Sequence, residues 1–255
     1  MVTRSLQRPA FVTLALLLPL LAWDASDLDM RLATWFGNAH GFPLTESWWL
    51  TSGLHDGGRL VSWLLAVGLT LSVWWPIGAL RRLEASERVQ IIVTTLVAVL
   101  AISTLKTFSR TSCPWDLSDF GGAARHVSHW TWLPDGGSGR CFPAGHASSG
   151  FAFISGYFVW RHHSLAWARA WLGVTLLAGF TLGLAQQVRG AHFMSHTLWT
   201  AWICWSIALA GEAFQAWRVG RLRASPQPGP PKPPRPETAR PPAGADHETS
   251  PLDRR

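Results

Sequence analysis

VQIIVTTLVAVLAISTLK, residues 89–106, carries no charge until its final Lys106. A run this long and apolar suits a helix crossing the ~30 Å hydrocarbon core of a bilayer, which takes about 20 residues. Five further segments of similar character stand at 10–25, 59–78, 146–161, 167–187 and 196–214. The pattern predicts an all-α polytopic membrane protein with six transmembrane helices. The fourth segment is short and contains Gly150 and Gly156, so it needs tilt or a polar end to fit.

Arginine in the short connections sets the expected orientation. Arg4 and Arg8 precede the first segment, and Arg81, Arg82 and Arg88 separate the second from the third. Arg161 and Arg169 lie between the fourth and fifth, while Arg218, Arg221 and Arg223 follow the sixth. These regions alternate so as to share one side, which the positive-inside rule makes cytoplasmic. Both termini are then cytoplasmic. The loops 26–58, 107–145 and 188–195 face the other compartment, the periplasm if this is a bacterial inner membrane. The first segment reads as a retained anchor, because Asp24, Asp27 and Asp29 follow it without a clear small-residue cleavage site.

Hydrophobic residues make up 48% of the chain, yet the stretch from Ser225 onward is polar and rich in proline and arginine. Such a tail cannot bury enough apolar surface to offset chain entropy, so 215–255 is expected to be a disordered, Pro/Arg-rich cytoplasmic tail. The remaining divisions are 1–58, an N-terminal span and outer loop, and 59–214, a membrane bundle that holds the site. A net charge of +7 concentrated in loops and tail reflects topology. No basic stripe alternates with exposed aromatics, so nucleic acid is not an expected partner. Trp48, Trp49 and Trp63 suit a belt at the membrane interface, where they would shape the access of lipid.

Three places where apolar runs meet outer loops carry chemistry. Lys106 ends the third segment, and Arg110 follows four residues later, on the same face if the helix continues. Pro143-Ala144-Gly145-His146 opens the fourth segment; small residues such as Ala144 and Gly145 let backbone N–H groups approach an anion. Arg189-Gly190-Ala191-His192 and His196 bridge the last two segments. His192 and His196 are spaced like helical metal ligands, but no third ligand adjoins them, so no metal or other cofactor is expected. An imidazole oriented by its neighbour fits better, with one ring nitrogen attacking phosphorus while the other donates. Cations and imidazoles gathered beside lipid point to a phosphorylated membrane lipid as the partner.

The order of these motifs resembles the type-2 phosphatidic acid phosphatase superfamily over about 59–214. The family pattern is Lys, six residues, Arg-Pro; then Pro-Ser-Gly-His; then Ser-Arg, five residues, His, three residues, Asp. Here it is matched by Lys106 with Cys113-Pro114, by Pro143-Ala144-Gly145-His146, and by His192 with His196. The resemblance implies His192 as a nucleophile forming a phosphohistidine, His146 as the acid for the departing lipid oxygen, and Lys106 as a phosphate ligand. Three departures stand out. Cys113 and Gln186 occupy the two arginine positions, with Arg110 and Arg189 each three residues away as replacements. His196 stands where an aspartate would orient the nucleophile, and Asp116 or Asp119 is the expected source of the missing charge.

Cys113 and Cys141 flank the outer loop, and an oxidising compartment would favour a disulfide between them, two free thiols being the alternative. The activity expected is hydrolysis of a phosphate monoester or pyrophosphate of a lipid. A lipid-to-lipid phosphotransferase and a non-catalytic lipid-binding relative are the competing readings. The sequence gives no reading of oligomeric state.

Overall fold

The computed structural model describes residues 2–224. Residues 215–224, expected to belong to a disordered tail, instead continue the last helix, and the rest of that tail, 225–255, lies outside the described residues. No β-strand occurs among them. The helices are α1 (Val2–Asp24), α2 (Leu28–Ala33), α3 (Gly57–Leu71), α4 (Ala85–Phe108), α5 (Ser148–Phe151), α6 (Ser155–Trp160), α7 (Leu165–Val188) and α8 (Met194–Ala224). A π-helical stretch, Trp49–Asp56, runs directly into α3.

Among the described residues three helices are long and apolar enough to cross a membrane: Leu6–Asp24 of α1, Ala85–Phe108 and Leu165–Val188. The other three expected spans take different forms. α3 has 15 residues, which reach only about 22 Å, and it ends at Leu71 rather than near 78. Pro76 lies just beyond and disfavours helical geometry at Trp75. The fourth segment, 148–160, is a buried run broken by one 3-10 turn at Ala152–Ile154. α8 is amply long at 31 residues but carries buried His196, Thr197, Thr200 and Glu212 along its length. Leu60, Leu64, Leu100, Val174 and Leu177 are exposed on the outer faces of α3, α4 and α7, as in a protein whose surroundings are apolar.

Small residues set how closely the helices approach. A Cβ added at Gly150 would strike the backbone of Gly179, and one at Gly183 would strike Thr197, so α7 uses Gly179 and Gly183 to admit α5 and α8. Ile102 of α4, Phe151 and Phe158 of the short run, and Cys204 and Ala208 of α8 fill the space between. At the start of α4 the Glu84 and Glu87 side chains form a reciprocal capping box. Buried Arg88 bonds the carbonyls of Val73, Leu80 and Leu83, closing the α3–α4 connection.

Chain direction alternates through this bundle, which brings several element ends together. α1, α4 and α7 finish where the π-helical stretch, α5 and α8 begin. Asp24, His55, Lys106, residues 141–146 and residues 189–196 therefore lie at one end of the molecule.

Candidate active site

His192 sits in the short turn between α7 and α8 and is 2% exposed. The turn depends on Gly190, whose φ of +78° suits glycine and whose added Cβ would strike the Phe42 ring. The Gly190 carbonyl accepts from Trp115 N–H at 3.0 Å, and Ala191 N–H donates to the Gln186 carbonyl at 2.8 Å. These bonds bind the first-motif loop to the turn that carries His192. His192 Nδ1 lies 3.4 Å from His196 Nδ1 and 3.5 Å from Cys141 Sγ. Burial first, and then the charges of Lys106, His196 and His146, hold the His192 pKa well below the usual histidine range. It is therefore a neutral imidazole with a lone pair to offer.

Lys106 ends α4 with its side chain against the second motif. A Cβ placed on Gly145 would meet Lys106 Cδ at 3.7 Å and Nζ at 3.8 Å, ordinary contact distances. The ammonium thus lies over a glycine whose N–H, with those of His146 and Ala147, has no acceptor among the described residues. Three free donors beside an ammonium make an anion cradle.

His146 is half-buried and its Nδ1 has no hydrogen-bond partner among the described residues. Its ring lies 3.9 Å from that of His55, tilted by 36°. Burial, followed by the charges of His55, Lys106, Arg189 and Arg59, lowers its pKa to about 4. Arg189 is held by its own neighbours: Nε donates to the Thr45 carbonyl at 2.9 Å, NH1 to Gln186 Oε1 at 3.2 Å, and the guanidinium lies over Trp115. Lys106, Gly145, His146, Arg189, His192 and His196 accordingly converge.

Three expectations are corrected. Arg110 does not share a helix face with Lys106, because α4 stops at Phe108 and Ser109 is extended, leaving Arg110 exposed. Ala144 offers no donor to an anion: its N–H bonds the His196 carbonyl at 3.3 Å, and its carbonyl accepts from Thr200 Oγ1 at 3.1 Å. It stitches the second motif to α8 instead. Asp116 does not reach His192; its Oδ2 accepts from Ser138 Oγ at 2.8 Å and from Cys113 N–H at 3.4 Å. Asp119, in the same loop, is exposed.

Cys113 and Cys141 are joined, with Cα atoms 5.1 Å apart. Their sulfurs and His192 lie close enough together to resemble a metal trio. Bonded sulfurs are not thiolates, however, so the group offers a single imidazole. The residues that sequence reasoning missed come from the N-terminal third and the outer loop. His55 and Arg59 escaped notice inside a Trp-rich segment read as lipid-shaping, although the His55-Asp56 pair beside an apolar run was a visible signal. In the sequence Asp24 reads only as a marker that the first segment is retained, and His129 lies in a long loop with no pattern around it.

The model of the PAP2 superfamily matches residues 88–219, just over half of the chain. Neither the curated proteins nor the solved structures give a match.

Proposed function

The chain belongs to the PAP2 superfamily, whose members are generally phosphatases acting on phosphate esters, and from that premise we propose a lipid phosphatase working at one face of a membrane. The observation that carries this reading is the meeting of two neutral imidazoles, His192 and His146, with Lys106 and Arg189 at one end of an apolar bundle. A phosphoryl group needs cations around its oxygens and a nucleophile in line with its leaving group, and this set supplies both. Positive-inside counting favours the side away from the cytoplasm for that end.

In this mechanism Lys106, Arg189 and the free N–H groups of the 145–147 turn hold the phosphate oxygens. The His192 Nε2 lone pair attacks phosphorus while the bond to the lipid oxygen breaks, and the proton that the monoanionic phosphate carries into the cradle passes through His146 to that oxygen. Water then attacks the phosphohistidine, passes a proton to His146 and releases inorganic phosphate, which restores His192. His196 accepts from His192 Nδ1–H throughout. No metal is needed, since the cations supply the transition-state stabilisation.

An apolar groove of about 800 Å³ supports a lipid as the substrate. It runs between α3 and α7 past Val61, Leu64, Val174 and Leu177, and Ser149 and Gly58 line it close to His146 and His55. A phosphate in the cradle would leave its apolar chain in this groove. The test is inorganic phosphate release by detergent-purified protein from phosphatidic acid, phosphatidylglycerophosphate, undecaprenyl pyrophosphate and lipid A. Release from at least one, lost in His192→Ala, is the expected result. Equal release by the variant and the parent would refute it.

A further inference from the structure

His192 can attack phosphorus through Nε2 only if its proton sits on Nδ1. This inference rests on the reading of His192 as the nucleophile. His192 Nδ1 faces His196 Nδ1 at 3.4 Å, so His196 must present a bare Nδ1 and carry its own proton on Nε2. Two neutral imidazoles alone do not fix that choice, because either can be the donor. The Cys141 backbone carbonyl acts on both rings alike and so does not choose between them, which leaves the choice to a charge beyond His196.

On that side lies a polar cavity of about 180 Å³, lined by His196, Asp24, Asp27, Asp29, His126 and His129 among others. Asp29 is committed, since its Oδ1 accepts from Ser195 N–H at 3.0 Å and from Trp23 Nε1 at 2.8 Å. Asp27 is exposed. Asp24 differs from both. Its side chain is 6% exposed, and Oδ2 accepts from Trp199 Nε1 at 2.8 Å and Trp130 Nε1 at 3.2 Å. Its Oδ1 is buried and has no partner among the described residues. Anchoring two indoles needs only one oxygen and no net charge, whereas burying a carboxylate costs solvation. The charge calls for a different use.

His129 stands between the carboxylate and the site. Its Nε2 is 3.2 Å from Asp24 Oδ2, at an angle that makes no hydrogen bond, and its side chain is 7% exposed. The ring stacks on Phe142 at 4.1 Å and meets His196 edge-on, with centroids 5.8 Å apart. Trp199 and Phe142 close the remaining sides. A charge enclosed this way is poorly screened.

We infer that Asp24, with His129 as its spacer, is a positioning residue for the nucleophile: its negative charge keeps the His196 proton on the nitrogen away from His192. His196 then accepts from His192 Nδ1–H, which leaves Nε2 free. The third motif lacks a carboxylate at 196, and the first helix supplies one from behind.

A double-mutant cycle in detergent tests this, with the parent, Asp24→Asn, His196→Asp and the double variant assayed on phosphatidic acid. Asp24→Asn should lower kcat by about 100-fold with little change in KM, since the wrong tautomer disables attack without disturbing binding. In the His196→Asp background, where a carboxylate contacts His192 directly, the same change should cost less than about threefold. Equal losses in both backgrounds would show that Asp24 serves only to pack the indoles, and a parent-like kcat in Asp24→Asn would also overturn the inference. Nitrogen-15 NMR of histidine-labelled protein gives a readout independent of turnover. His192 should be Nδ1–H in the parent and a mixture of tautomers in Asp24→Asn, and an unchanged tautomer would overturn the inference. If the parent releases no phosphate from any lipid, the phosphatase reading fails while the NMR comparison still decides the role of Asp24.

Discussion

Removing the Cys113–Cys141 bond should reduce both stability and turnover, by amounts that follow from the chain. The bond closes a loop with a sequence separation of 28, and the entropy of closing a loop that long corresponds to about 3.5 kcal/mol at 25 °C. In a chain of this size each kcal/mol moves the melting midpoint by about 2–4 °C, so the Cys113→Ser/Cys141→Ser variant should melt roughly 7–14 °C lower. The loop keeps other attachments: Asp135 bonds Ser112 N–H and Oγ at 2.6 and 2.8 Å, and Cys141 N–H bonds the Thr111 carbonyl at 3.0 Å. The fold should therefore persist while the site loosens. Cys141 Sγ sits 3.5 Å from His192 Nδ1, and a shift of the nucleophile by a fraction of an ångström should cost kcat about tenfold. The assays are a thermal melt of detergent-purified protein and phosphate release, each for parent and variant with and without reductant. Reductant should move the parent toward the variant and leave the variant unmoved. A melt unchanged within about 2 °C would refute the entropy argument, and alkylation of both cysteines without reductant would refute the bond itself.

Other expectations follow from single side chains. His192→Ala should lower phosphate release by about 10⁴-fold or more, whereas Arg110→Ala, exposed beyond the end of α4, should change it less than about threefold; side-by-side kinetics on one lipid decide both. Gly179→Leu should abolish folded protein in a size-exclusion assay, because Phe151 and the Gly150 backbone occupy the space its side chain would need. Asp135 is buried, which alone would raise its pKa, but the Ser112 and Gly137 N–H groups and the Ser112 hydroxyl outweigh that and hold it below the usual value. A carboxyl depressed in this way stabilises the fold above its unfolded pKa near 4, and the contribution is lost as pH falls through the folded value. Melts between pH 6 and pH 3 should accordingly decline less steeply in Asp135→Asn than in the parent.

The helices were legible where periodicity and length agree, and less so where packing decides. The run 89–106 became α4, and the long α7 and the first segment followed the same logic of apolar length. The 148–160 run shows the limit. Its apolar content reads as a span, and in the structure it is a short, buried run packed against α7, an arrangement permitted by Gly150 and Gly179 that no single-segment pattern reveals. Similarly, the stop of α4 at Phe108 depends on Ser109 adopting an extended conformation, and the chemistry of Lys106 and Arg110 gave no sign of that. For the site, the motif residues could be found because each lies at an apolar boundary. His55, Asp24 and His129 could not, because they reach the cluster only through the alternation of six element ends. Contacts such as His55 on His146 join residues 91 positions apart, and a linear pattern does not encode them.

The proton given to the leaving group is the tightest constraint on this site. With its pKa near 4, lowered first by burial and then by the cations around it, His146 is unprotonated at neutral pH and has nothing to donate. The same cations that bind phosphate therefore disarm the acid, unless the substrate brings the proton. A phosphate monoester loses its second proton at about pH 6, so the monoanion carries one into the cradle. Once bound, its negative charge offsets Lys106 and Arg189 and raises the proton affinity of His146. On this account kcat/KM should be highest near pH 5–6 and fall about tenfold per unit as pH rises past the second ionisation of the substrate. The falling limb should track the substrate: a phosphonate or aryl phosphate with a different second pKa should move it by the same amount, while Arg59→Gln should leave its position unchanged. Phosphate release measured from pH 5 to 9 on two such substrates checks this. A profile flat across that range, or a limb that stays fixed when the substrate pKa changes, would mean that His146 receives its proton from the protein.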